Sequence, residues 1–160
     1  KKMIEMNPIG IIHTPFRQLE GMPIQPAGAV GVKGTVEVFE KFRAGLKDLD
    51  GFSHIILLYI FHRSQGFELE VVPYMDTQPR GLFATRAPKR PNPIGLSVVR
   101  LIGITNGNLQ IQDVDVVDGT PLLDLKPYVP EFDVHKVDRI GWIGNKTGGI
   151  GQVVDDGRFS

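Results

Sequence analysis

The chain has no cysteine. That excludes disulfides, thiolate metal ligands and a cysteine nucleophile, and it suits a reducing, cytoplasmic location. Histidine is sparse as well: His13, His54, His62 and His135 are scattered, without a local cluster of His, Asp or Glu, so no metal site is expected. No apolar run approaches the length that spans a bilayer, and the opening KKMIEMNPIG lacks the apolar core of a secretory signal. No membrane association is expected. The net charge is zero, so bulk charge gives no sign of a nucleic-acid partner. No G-x-G-x-x-G follows a strand and opens a helix, and neither a phosphate-binding G-x-x-x-x-G-K-[ST], a G-x-S-x-G elbow nor an H-E-x-x-H occurs.

What is present is mostly strand. At 160 residues the chain is long enough for one domain with a real core. HIILLYIFH (54–62) is a continuous apolar run of strand length and reads as a strand buried on both faces. GVKGTVEVF (31–39) alternates as a half-buried strand does. GLSVVRLIGI (95–104) and NLQIQDVDVV (108–117) flank TNGN, a hairpin signal. NPIGIIHTPF (7–16), LEVVPY (69–74) and LLDLKPY (122–128) add three more strands. Only EKFRAGLKDL (40–49) has apolar residues at helical spacing. The expected fold is mainly β: a single-domain closed β-barrel of about seven or eight strands with one or two short helices. The barrel domain is expected over 1–140, with a flexible tail over 141–160.

Charge is unevenly distributed. Between Thr77 and Gln112 there is no acid, while Arg80, Arg86, Lys89, Arg90 and Arg100 are present; Asp113, Asp115, Asp118 and Asp124 follow. This suggests a field aimed at an anion, or two segments that pair with each other. The basic segment centres on GLFATRAPKRPNPIG (81–95). Pro88, Pro91 and Pro93 fix φ and remove backbone donors, so the stretch reads as a rigid loop holding cations in place.

Three stretches, GFSHIILLYIFH, RGLFATRAPKRPNPIGLSVVRL and DVDVVDGTPLLDLKPYVPEFD, closely resemble the signatures of the TsaA-like family. These are S-adenosylmethionine-dependent tRNA (N6-threonylcarbamoyladenosine-37-N6)-methyltransferases. The resemblance runs from about Ile9 to Asp133. It implies a β-barrel methyltransferase, a homodimer with S-adenosylmethionine bound near the subunit interface, and a tRNA anticodon loop as partner. The chain resembles the family's short, single-domain form and is expected to be without the C-terminal domain of bacterial members. A non-catalytic RNA-binding barrel, or a methyltransferase with another small or RNA substrate, stands as the alternative.

The resemblance implies cofactor contacts at Pro23, Ile24 and Gln25, at His62 and Arg63, at Arg86 and Leu96, and across Asp115, Val117, Asp118, Gly119 and Thr120. Arg86 suits a carboxylate through a bidentate fork, and Gly119 lets backbone approach a ligand closely. His62 could equally be a strand-end histidine satisfied by its neighbours, and Asp118-Gly119 could equally be a turn. Lys89, Arg90, Asn92 and Lys126 are the expected substrate contacts, because the substrate is anionic and its threonylcarbamoyl group carries a carboxylate. Asn92 also parallels the Asn-Pro of Rossmann-type adenine-N6 methyltransferases, or it caps a turn before proline. The proton on the accepting nitrogen points to Asp118, Asp124 or Tyr128 as acceptor, with Asp118 favoured and the backbone carbonyl of Asn92 as the fallback. In the alternative, Asp118 only shapes its turn and Asp124 pairs with Arg86 or Arg100.

Overall fold

The computed structural model describes residues 2–17 and 29–145, which fall into two compact units. Of these, the first comprises residues 2–17, 29–65 and 91–128, and the second 66–90 and 129–145.

The first unit is a closed antiparallel barrel of six strands. These are β1 (Gly10–His13), β2 (Lys33–Val38), β3 (His54–Ile60), β6 (Ile94–Thr105), β7 (Asn108–Gln112) and β8 (Thr120–Pro127). They close in the order β1-β2-β7-β6-β3-β8. Two further strands, β4 (Glu70–Val71) and β5 (Arg80–Gly81), form a separate ladder in the second unit. Inward side chains at every second position build the core: Ile12, Val36, Val38, Ile55, Leu57, Val99, Leu109, Ile111 and Leu122 are all essentially inaccessible to solvent. The β6–β7 hairpin turns on Asn106 and Gly107, both at positive φ (51° and 77°), as a type I′ turn requires.

Several sequence expectations need correction. β3 is not buried on both faces: Ile55, Leu57 and Tyr59 point inward, while Ile56, Leu58 and Ile60 are half-buried. A barrel has one packed interior, so the other face turns outward. The expected helix at 40–49 is two 3-10 turns, Glu40–Leu46 and Leu49–Gly51. Asp48 at φ 68° breaks the run, and so short a segment does not repay α-helix nucleation. Phe42 and Leu46 still pack on the core. β7 ends at Gln112 rather than continuing to 117, because Asp113 takes φ 69°. β4 is only two residues long, with Pro73 and a left-handed Met75 (φ 74°) after it.

The second unit is built around Asp76. Its side chain is 1% exposed; Oδ2 accepts from Arg80 Nε at 2.7 Å and Oδ1 from the Thr77 amide at 2.7 Å. A 3-10 turn at Leu82–Ala84 follows β5, and a single α-helical turn, α1, covers Pro130–Asp133. Gly141–Asn145, inside the stretch expected as tail, form a further 3-10 turn.

Candidate functional site

Strand register brings four chain segments to one end of the barrel. Ile12 of β1 pairs with Thr120 of β8, Tyr59 of β3 pairs with Leu122 of β8, and Gly95 of β6 pairs with Tyr59. The chain leaving β1 (His13–Arg17), the chain leaving β3 (Phe61–Arg63), the approach to β6 (Asn92–Pro93) and the approach to β8 (Asp115–Gly119) therefore form one rim.

Hydrogen bonds knit this rim. Thr14 donates its amide to Asp118 Oδ1 at 2.9 Å and its hydroxyl to the Val116 carbonyl at 2.6 Å. The Asp118 amide donates to Phe16 O at 2.7 Å, and the Gly119 amide to Ile12 O at 2.9 Å. Thr120 turns its hydroxyl back to Val117 O at 2.6 Å. Arg63 Nη1 donates to Arg17 O at 2.7 Å, and Phe61 N to Pro93 O at 2.7 Å. The Asn92 carbonyl accepts the Ile94 amide at 2.7 Å, a tight turn into β6. Gly119 has φ 83°, and a Cβ built there would meet nothing within 4 Å. The backbone at this point is open to an approaching group. His62, Arg63, Asn92 and Leu96 are exposed at or near this rim.

Behind the rim lies a polar chain that sequence reasoning missed. The Ser97 hydroxyl donates to Asp115 Oδ1 at 2.8 Å and lies 2.7 Å from Tyr59 Oη. With the serine proton committed to the carboxylate, Tyr59 is the donor to Ser97. Tyr59 is 5% exposed and Ser97 8%, so the chain runs from the core to a fixed carboxylate. Gly95 makes room for it: a Cβ there would collide with the rings of Tyr59 and Phe61. These two rings meet edge-on at 5.5 Å. The available signal was a polar residue at an inward position of β6.

His13 is a second residue missed, at the end of β1. Its Nε2 lies 2.9 Å from Glu37 Oε1, and its Nδ1 lies 3.7 Å from Asp118 Oδ1. The Asp118 carboxylate thus serves the turn as a hydrogen-bond acceptor and also has an imidazole beside it.

Tyr128 and Lys126 are not brought to this rim. They lie at the far end of β8, about 23 Å away at an ordinary rise of ~3.3 Å per strand residue. Tyr128 packs edge-on against His54 with centroids 6.4 Å apart, and Lys126 Nζ lies 2.9 Å from Asp124 Oδ2. Asp118 and Tyr128, both offered as proton acceptors, thus stand at opposite ends of β8 within one chain. A small cavity of about 210 Å³, lined in part by Lys47, Asp48, Phe52 and Leu125, also sits at that far end.

In the second unit Arg86 and Lys89 are exposed, whereas Arg90 is half-buried. Arg90 Nη1 donates to the carbonyls of Thr85 and Ala87 at 3.0 Å each, so its guanidinium braces its own loop. Pro23, Ile24 and Gln25 lie outside the described residues. Among the described residues, no group of three or more His, Asp or Glu could hold a metal ion, and no helix is long and apolar enough to cross a membrane.

Comparison with known proteins accords with this architecture. Residues 11–134 match the tRNA-methyltransferase O N-terminal domain. A probable S-adenosyl-L-methionine-binding protein of Pyrococcus abyssi is 56% identical over 98% of this chain and 85% of its own length. A tRNA (adenine(37)-N6)-methyltransferase of Mus musculus is 33% identical over 79% of this chain, which spans only 31% of that protein. The crystal structure of TrmO from Pseudomonas aeruginosa superposes with a TM-score of 0.74 at 38% identity, covering 88% of this chain and 63% of that one. The chain belongs to the tRNA-methyltransferase O N-terminal domain family.

Proposed function

We propose that the protein is an S-adenosylmethionine-dependent methyltransferase acting on N6 of adenosine 37 in tRNA, in its threonylcarbamoyl-modified form. The observation that carries this reading is the family match over 11–134, joined to a barrel rim that presents a buried-side, oriented carboxylate. S-adenosylmethionine, when bound, supplies a methyl group activated on a cationic sulfonium. The rim fits such a molecule. Asp115, fixed by Ser97, suits its ammonium or ribose hydroxyls. The open backbone at Gly119 suits the edge of its adenine, and exposed Leu96 suits the face.

His62, Arg63, Val117 and Thr120 complete the proposed contacts from the barrel. We assign Arg86 to the ligand's carboxylate and Lys89 to RNA phosphate. Asp118 is the proposed proton acceptor: its carboxylate would take the N6 proton while the methyl group passes from the sulfonium sulfur to nitrogen and the neutral thioether S-adenosylhomocysteine leaves. Asn92, beside the same rim, is the proposed contact to the substrate base. Tyr128 and Lys126, at the far end of the barrel, are left out of this subunit's catalytic set. A cytoplasmic location follows from the tRNA reading.

We also propose a homodimer. Outward-facing Ile94, Leu96 and Val98 of β6 pair across the ladder with Ile60, Leu58 and Ile56 of β3. Leu96 is 53% exposed and Val98 40%. A contiguous apolar ladder of this kind marks an interface.

The test joins calorimetry to nucleoside mass spectrometry. S-adenosylmethionine and S-adenosylhomocysteine should bind and raise Tm, and incubation with modified tRNA should add one methyl to the threonylcarbamoyl-adenosine. Absence of binding at millimolar ligand overturns the reading and leaves a catalytically inert RNA-binding barrel.

A further inference from the structure

The turn at Leu82–Ala84 presents an aromatic ring for which methyl transfer has no use. Phe83 is 72% exposed, yet the backbone beneath it is held from two directions. On one side Arg90 Nη1 donates to the carbonyls of Thr85 and Ala87 at 3.0 Å each, with Leu82 O at 3.4 Å. On the other, the Trp142 indole N–H donates to Ala84 O at 2.8 Å. Trp142 is itself covered by the Arg80 guanidinium, 5.7 Å from its ring centroid, and Arg80 is fixed by Asp76 at 2.7 Å. Within the turn, the amide and hydroxyl of Thr85 both donate to Leu82 O, at 3.0 and 2.8 Å.

The ring also carries a cation. Arg90 Cζ lies 5.7 Å from the Phe83 centroid. Its hydrogen bonds go to neutral carbonyls, so the guanidinium keeps its full charge. With Arg90 toward one face, an exposure of 72% leaves the other face in water. A large apolar side chain left in solvent forgoes its burial energy, and a turn braced this heavily has little ordering entropy left to lose on binding. The chain carries no acid from Thr77 to Gln112, while Glu70 stands opposite Gly81 across the β4–β5 ladder.

We propose that Phe83 is a stacking platform for an unpaired base of loop RNA, and that Arg90 is its positioning residue. The inference rests on the tRNA reading above and names a contact that reading lacks. Every base has a π-face, so stacking on Phe83 adds affinity without selecting sequence. The cation on the ring strengthens the contact and attracts the neighbouring phosphate. Arg90 thereby acts on RNA through the ring and the turn it holds.

The test uses the full chain and anticodon stem-loop RNAs that keep adenosine 37 and carry 2-aminopurine at one of the other unpaired loop positions in turn. Fluorescence titration reads affinity and stacking together, and calorimetry reads S-adenosylmethionine binding on the same variants. Phe83→Ala should weaken RNA binding about tenfold to a hundredfold and abolish the stacking quench, from the usual worth of one base–aromatic stack. Phe83→Trp should retain both. Neither should alter S-adenosylmethionine affinity or the salt slope of RNA binding, because no phosphate contact is removed. Arg90→Lys, which keeps the charge but has a shorter reach and no planar group to lie against the Phe83 ring while one nitrogen donates to the Thr85 and Ala87 carbonyls, should behave like Arg90→Ala; full activity of the lysine variant overturns the positioning role.

The platform is overturned if wild type binds the RNA and Phe83→Ala binds it equally well. It is also overturned if Phe83→Ala weakens S-adenosylmethionine to the same degree, since the ring would then serve the cofactor's adenine. A shift of Phe83→Ala to a smaller species in sedimentation overturns it too, by assigning the ring to a second copy of the chain. If wild type fails to bind RNA at all, the tRNA reading falls and the platform falls with it.

Discussion

Asp118 and Thr14, 104 residues apart in sequence, meet where Asp118 Oδ1 accepts the Thr14 amide at 2.9 Å. The carboxylate therefore has a structural task at the rim besides the chemical one proposed for it, and two substitutions separate the tasks. Asp118→Asn keeps an oxygen for Thr14 and removes the base. Its turnover on modified tRNA should fall by about 10²-fold or more, with Tm and cofactor affinity near wild type. Asp118→Ala removes both, and should also lose about 1–3 kcal/mol of stability from the stranded amide. Single-turnover methylation beside thermal denaturation checks the pair. An asparagine variant at near-wild-type rate makes Asp118 a turn residue only.

Much of the barrel was legible because barrel strands alternate. GLSVVRLIGI and the TNGN turn carry a local signal, and β6, β7 and the type I′ hairpin follow from it. HIILLYIF misled for a physical reason: Ile56, Leu58 and Ile60 on its outer face are as apolar as the inner set, so the alternation vanishes from the sequence. The rim was legible only in part. The stretch proposed to hold the cofactor was named by resemblance, but that Asp118 and Tyr128 stand at opposite ends of β8 depends on strand direction. The Tyr59–Ser97–Asp115 chain depends on register between distant strands, which no local pattern encodes. Arg90 read as a free cation because sequence shows charge, not the carbonyls that surround it.

The buried chain gives a second prediction. Ser97→Ala removes one partner of the Tyr59 hydroxyl and one of the Asp115 carboxylate, at a cost of about 1 kcal/mol, and loosens the hold on Asp115. Cofactor affinity should fall along with Tm. Tyr59→Phe removes the hydroxyl at the core end of the chain while Ser97 can still hold Asp115, so stability should fall by about 1 kcal/mol with cofactor affinity nearly intact. Thermal denaturation and calorimetry on both variants distinguish them. Equal cofactor losses would mean that Asp115 is not oriented through Ser97.

The outer face of β3 and β6 gives a third. Val98→Glu puts a charge on the exposed apolar ladder, next to Leu96, without touching the interior, where Val99 points. Sedimentation should show a dimer for wild type and a monomer for the variant, while the circular dichroism of the barrel is unchanged. A dimer that survives the substitution places the subunit contact elsewhere.

The last prediction divides the exposed cations of the loop. Arg86 is assigned to the cofactor carboxylate and Lys89 to RNA phosphate. Arg86→Ala should weaken S-adenosylmethionine about tenfold to a hundredfold, the scale of a charge-assisted hydrogen bond, and leave RNA affinity within a factor of a few. Lys89→Ala should leave the cofactor untouched. It should weaken RNA of any sequence alike and lower the salt slope by about one unit, because one phosphate contact is gone. Arg90 behaves differently from either, since it is half-buried and bonded to backbone. Its loss should lower Tm, which removal of exposed Lys89 should not. Calorimetry, RNA titration across a salt series and thermal denaturation on the three alanine variants test the scheme. Loss of the same ligand by Arg86→Ala and Lys89→Ala to the same degree, with no change of salt slope in either, would show that the loop acts as one undivided patch.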